Sequence, residues 1–244
     1  MDYSKEGPVK RLFIDDLKDF LWKPYLPPLG QGGHDLNHVL RMEAMYEELS
    51  TLIPGVDQEE YAVAVWLHNI DRCPAFGNHV KSKGLEAVLK GLLNPAELSA
   101  EVAERIMNSV LEHGKKNDGV DDPSLLQMLR LADKWDRIGV HGATSGFAWK
   151  GCVMPSYNHQ NPFGYGDTSE NGWRTHYQNF YRILEWYSDF PLIRELVQRH
   201  RWRFEAFLAF IRAFAREISE AHNVPNSVEA DIKKCLGPFY DEWR

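Results

Sequence analysis

A chain of 244 residues has room for one large domain or two small ones with a substantial buried core. Its 43% hydrophobic and 26% charged residues are ordinary for a soluble globular protein. A formal net charge of -7 argues against the broad basic surface of a nucleic-acid binder, yet leaves room for a local basic pocket that takes a small anion.

Cys73, Cys152 and Cys235 fit no paired spacing and leave an odd number, as reduced thiols would. No apolar run approaches the ~20 residues that a membrane span needs. The opening Met1-Asp2-Tyr3-Ser4-Lys5-Glu6 is polar and carries no secretory signature. The expectation is a cytoplasmic protein with neither a membrane nor a nucleic-acid partner; a homodimer is left open.

Taken in order, most segments read as helix. Leu12, Phe13, Leu17, Phe20 and Leu21 recur at helical intervals and stop before Pro24. Tyr25 to Gly33 is rich in Pro and Gly and reads as a loop that leads to Asp35, a good N-cap for a helix running to about Leu52. Asp57-Gln58-Glu59-Glu60 resembles a capping box. The apolar run Tyr61 to Leu67 behind it predicts a helix buried on most sides.

Further helices are predicted over about 79–93, 98–113 and 123–138, the last bounded by Asp122-Pro123 and Gly139. Gly142 to Gly172, rich in Gly, Asn, Ser and Tyr, reads as one long ordered loop over the site, with Phe147, Trp149, Tyr157, Phe163 and Tyr165 as contact residues. Helix resumes from Trp173 to about His222 with a break near Pro191, and a short helix follows Ser227. The fold class is all-α, a helical bundle of about eight to ten helices in a single domain over residues 1–244.

Three short segments concentrate chemistry: His34-Asp35-Leu36-Asn37-His38, Leu67-His68-Asn69-Ile70-Asp71-Arg72 and Leu131-Ala132-Asp133-Lys134-Trp135-Asp136. A divalent metal in a helical protein needs imidazole and carboxylate ligands from separate helices, and this order can supply them. His34 and His38 share a face if the helix already includes His34, with Arg41 three residues beyond His38. His68 ends an apolar run; its ring nitrogens need partners, and either a metal or a backbone carbonyl serves. Asp133 and Asp136 lie on a helix that is otherwise apolar inward, although Asp136 can pair with Arg137 or Arg130 at the surface. His113 ends its helix, where either a helix-end charge or a pocket role fits. Arg41, Arg72 and Lys134 put positive charge beside these segments, as phosphate ester hydrolysis requires.

The order His38, His68-Asn69, His113, Asp133 resembles the HD-domain metal-dependent phosphohydrolases, and within them the branch of small bacterial nucleotide pyrophosphohydrolases. The likeness extends over Gly33-His34-Asp35-Leu36-Asn37-His38-Val39-Leu40-Arg41 and Leu131-Ala132-Asp133-Lys134-Trp135-Asp136-Arg137-Ile138-Gly139. It continues through His176-Tyr177-Gln178-Asn179-Phe180-Tyr181 and Arg203-Phe204-Glu205-Ala206-Phe207-Leu208. The resemblance implies a single HD-type domain with its core at about 33–222, a divalent metal (Mn, Co, Ni, Mg, Fe or Zn), and ligands at His38, His68 and Asp133. The aspartate that names the family is Asn69 here, a fourth ligand that offers an amide dipole in place of a charge.

The function expected on this basis is hydrolysis of a nucleotide or related small phosphate ester. Arg41, Arg72 and Lys134 neutralise substrate charge, and Asp71 or His113 serves as general base or acid. The alternative is a degenerate HD-domain protein that binds a nucleotide or other anion without catalysis. Oxidative di-iron chemistry is a third reading, disfavoured because His79, His113 and scattered acids do not readily complete a second ligand set.

Overall fold

The computed structural model describes residues 7–25, 34–93, 98–114, 121–153, 174–223 and 226–244, and all regular structure among them is helical. The chain divides into two compact units, Met1–Asp133 and Lys134–Arg244.

The first unit holds α1 (Gly7–Tyr25), α2 (Leu36–Glu43), α3 (Tyr46–Ser50), α4 (Gln58–Leu67), a 3-10 turn at Ile70–Arg72, α5 (Pro74–Lys83), α6 (Leu85–Leu93) and α7 (Ala100–Glu112). It also takes in most of α8 (Ser124–Arg137). Asp57 caps α4 by accepting from the amides of Glu59 and Glu60. The reciprocal half of the box is diverted, because the Glu60 carboxylate pairs with the Arg105 guanidinium at 2.6 and 2.8 Å. Every residue of α4 from Tyr61 to Leu67 is buried, since α1, α2 and α7 all pack on it. Tyr61 donates to the Met42 carbonyl at 2.6 Å, and the Trp66 ring nitrogen to Glu43 at 2.8 Å. Those bonds satisfy the polar atoms of two large side chains in a core that water does not reach.

The second unit holds α9 (Val140–Val153), α10 (Arg174–Asp189), α11 (Pro191–Arg199), α12 (Arg201–His222), α13 (Val228–Leu236) and a 3-10 turn at Gly237–Glu242. Its core is aromatic: Tyr187 stacks on Phe204 at 5.0 Å, and Trp243 meets Phe204 edge-on at 4.8 Å. Arg203 donates to the carbonyls of Ile138 at 2.6 Å and Trp135 at 3.1 Å, closing the C-terminal end of α8.

Several expectations are corrected. The helix begun at Asp35 does not run on to Leu52: it breaks after Glu43 and restarts as α3. The single helix over 79–93 is two, because Gly84 sits at φ +84° and interrupts the ladder. Thirteen α-helices among the described residues, several of them short, stand where about eight to ten were expected. The stretch from Gly142, which reads as loop in the sequence, is helical as far as Val153. The glycine there serves close approach, since a Cβ on Gly142 would lie 2.0 Å from the Arg137 carbonyl oxygen. The remainder, 154–173, and with it Tyr157, Phe163 and Tyr165, lies outside the described residues, as does 26–33 of the first loop. Cys73 and Cys235 stand outside any disulfide, and burial pushes the Cys235 thiol up to about 12.

Candidate metal centre

Three helices of the first unit bring His38, His68 and Asp133 together, with their ligand atoms all within 4.8 Å of one another. Asp35 starts the first of them. Its carboxylate accepts from the His38 amide at 3.2 Å, so α2 begins at Leu36 and His34 precedes it. Leu36, Val39 and Met42 bury one face of that helix and carry His38 inward with them, 1% exposed.

His68 is the C-cap of α4, also 1% exposed. Its Nδ1 donates to the Val65 carbonyl, three residues back, at 2.6 Å. A carbonyl can only accept, so this bond fixes the tautomer and leaves the lone pair on Nε2. The carbonyl-bonded and the ligand alternatives for His68 therefore coexist, one on each ring nitrogen. Burial first, then the neighbouring His38 and His113, hold its pKa well below the usual 6.5 against the opposing pull of Asp133. The ring is uncharged at neutral pH and can donate its lone pair.

Nε2 of His38 stands 3.1 Å from Nε2 of His68, and 3.6 Å from Oδ1 of Asp133. Two imidazole nitrogens on one metal at bonds of about 2.05 Å are about 3.3 Å apart when tetrahedral and about 2.9 Å when octahedral and adjacent. The observed imidazole spacing falls between these, so the two rings fit a divalent cation with little movement, while the carboxylate at 3.6 Å must move in to join them.

Asn69 is 4% exposed, and its amide nitrogen lies 2.6 Å from Nε2 of His68. The amide oxygen in that position would face a lone pair at close range, so the nitrogen is the atom turned toward the ring.

His113, the C-cap of α7, repeats the His68 device: its Nδ1 donates to the Val110 carbonyl at 2.6 Å, and its ring meets that of His68 edge-on at 5.3 Å. His34 packs against His38 with ring centroids 5.9 Å apart. Both extend the imidazole cluster. The other expected residues stand differently. Asp71 faces its neighbour Arg72 at 3.3 Å, and Arg72 is half exposed. Arg41 is half-buried near the end of α2. Lys134 places its ammonium over the rings of Phe190 at 4.9 Å and Trp186 at 5.9 Å. Asp136 is buried and not at the surface.

Sequence reasoning missed the two carbonyls, Val65 and Val110, that aim the rings. The signal was present: each histidine ends its helix three residues after an apolar position whose carbonyl no later turn claims. A separate cleft of about 800 Å³ opens on α7 and α8, lined by Glu101, Glu104, Arg105, Glu112, Asp122 and Arg130 among others. None of the clustered histidines lines it. Its acids outnumber its bases, which disfavours a phosphate there.

No family model matches the chain, and no curated protein matches it. Solved structures that share its fold include two bacterial proteins. One is a Lactobacillus plantarum protein solved as a structural genomics target, with TM-score 0.61 and 15% identity, covering 87% of this chain and 99% of that one. The other is Bacillus subtilis YpgQ in complex with ADP, with TM-score 0.57 and 16% identity, covering 86% and 96%. The chain has an all-α fold, shared with these two structures, and among the described residues no helix is long and apolar enough to cross a membrane.

Proposed function

We propose that this chain is a metal-dependent phosphohydrolase acting on a nucleotide or related small phosphate ester, of the kind found in the small bacterial nucleotide pyrophosphohydrolase branch. The observation that carries the reading is the convergence of buried His38 and His68 with half-buried Asp133, donor atoms of three helices within 4.8 Å. A divalent cation held by these residues would acidify a bound water and polarise a phosphoryl oxygen. Two imidazoles with a single carboxylate suit Zn, Ni, Co or Fe better than Mg, with Mn between them.

The surrounding residues fit the remaining tasks. His113 has Nδ1 tied to a carbonyl, so its Nε2 can take a proton beside His68. Arg41 and Arg72 provide positive charge for phosphoryl oxygens, with Asp71 holding Arg72. Lys134 stacks its charge on aromatic faces, which supports a positioning role over direct phosphate contact. YpgQ, which shares the fold, is seen with ADP, and this favours a nucleotide as substrate.

The test is elemental analysis of the purified protein followed by a hydrolysis screen over nucleotides and phosphomonoesters with Mn, Co, Ni, Zn, Fe and Mg. The expected result is near-stoichiometric metal and release of phosphate or pyrophosphate from at least one nucleotide. A metal-free protein inert with every added ion would remove the proposal.

A further inference from the structure

We infer that Asn69 competes with the cation for His68, and so acts as a displaceable cap on the site and not as its fourth ligand. The inference rests on the metal-centre reading and concerns how that centre is controlled.

The backbone sets the first constraint. The Val65 carbonyl claims the Nδ1 proton of His68, so the ring has a single lone pair to offer, on Nε2. The same Nε2 stands 3.1 Å from Nε2 of His38, in the group these two rings form with Asp133. The Asn69 amide nitrogen lies 2.6 Å from that Nε2, on the adjacent residue and almost fully buried. One lone pair cannot serve an N–H donor and a metal at once.

Asn69 follows the C-cap of α4 directly, at φ -113° and ψ 23°, so its side chain starts from the residue next to the ring it meets. Metal entry therefore requires the amide to turn away and give up a buried hydrogen bond. The turned amide can present its oxygen, a weak dipolar ligand that only partly offsets that loss. An aspartate in this place would have no donor with which to cap the ring. The chain thus carries, in one residue, a reason for its lone pair to remain satisfied until a cation with strong preference for imidazole displaces the amide.

The experiment uses Zn²⁺ as the probe, on the full chain, with Asn69→Ala and the nearly isosteric Asn69→Leu, either of which suffices if the other fails to fold. Long-range nitrogen–proton spectra of the metal-free protein come first. The cap predicts that His68 keeps its proton on Nδ1 in wild type and variants, while its Nε2 resonance moves toward that of an unbonded imidazole in the variants. Zinc titration comes second, and both variants should bind Zn²⁺ as tightly as wild type or several-fold tighter. A loss of about tenfold or more, the size seen when a supporting group of a metal site is removed, would make Asn69 a ligand and overturn the inference. An unmoved Nε2 resonance would overturn it as well. If no form binds Zn²⁺, the metal-centre reading falls and the competition with it. A moved Nε2 resonance in that case would trace the failure to the metal reading, not to the amide bond.

Discussion

Nε2 of His38 and Nε2 of His68 face each other at 3.1 Å across the interior of the first unit, although 30 positions separate them in the chain. A contact that short between two ring nitrogens gains most when a proton or a cation lies between them. The second nitrogen of His68 is bonded to the Val65 carbonyl, which fixes that ring in place. His34 lies ahead of α2 and reaches the cluster through ring contact with His38. His68→Ala is expected to abolish stoichiometric metal with the helical circular dichroism nearly intact, whereas His34→Ala should weaken binding by less than about 1.4 kcal/mol, a factor of ten. Full metal content in His68→Ala would end the assignment.

Asn69→Asp changes volume hardly at all and exchanges a donor for a charge. Metal affinity should rise about tenfold or more, because ~1.4 kcal/mol from a ligand charge in a partly dry pocket is enough. Without metal, the same substitution removes the bond to His68, at a cost of about 1–3 kcal/mol. The two effects have opposite signs, so thermal melts with and without Zn²⁺ separate them. A variant that melts like wild type in both conditions contradicts the role given to this side chain.

Acid should destabilise the metal-free protein through His68. Its pKa is held well below 6.5 in the fold, first by burial and then by His38 and His113, while Asp133 pulls the other way. The unfolded chain protonates this ring near about 6.5 and the folded chain does not. Below that pH the unfolded state binds more protons, so stability falls as pH falls, by up to about 1.4 kcal/mol per unit, until the depressed folded value is reached. Melts in chelator between pH 7.5 and 5 should show a shallower slope for His68→Gln than for wild type. Equal slopes would locate the acid sensitivity elsewhere.

Much of this centre was legible in the sequence. Asp35 and Asp57 announced two helix starts by their capping chemistry, and the unbroken apolar run after Asp57 announced a helix buried on most sides. Those two facts place His38 and His68 inward. What could not be read was orientation. Whether Asn69 offers its oxygen or its nitrogen depends on which proton the Val65 carbonyl has claimed, a three-dimensional matter. Gly142 misled for a related reason: glycine marks flexible loops and close backbone approaches alike, and only the nearby Arg137 carbonyl distinguishes them.

That contact yields a prediction independent of the metal. Gly142→Ala would set a Cβ 2.0 Å from the Arg137 carbonyl oxygen, and backbone cannot swing aside as a side chain can. The start of α9 must shift, at about 3 kcal/mol or more by analogy with severe overpacking. Urea unfolding of the variant should show a midpoint clearly below wild type, and an unchanged midpoint would mean that the turn at Gly139 absorbs the methyl group.

The burial of α4 from Tyr61 to Leu67 also sets a timescale. Its backbone amides from Tyr61 to Leu67 face no solvent on any side. They should therefore exchange hydrogen for deuterium only when the surrounding helices open together, among the slowest in the chain. His68 is the next residue, so the nitrogen offered to the cation hangs from a segment that opens as rarely as the unit itself unfolds. Side chains around it can turn in nanoseconds to milliseconds. Entry and departure of an ion are then matters of local side-chain rearrangement, while the anchor keeps its place over many such events.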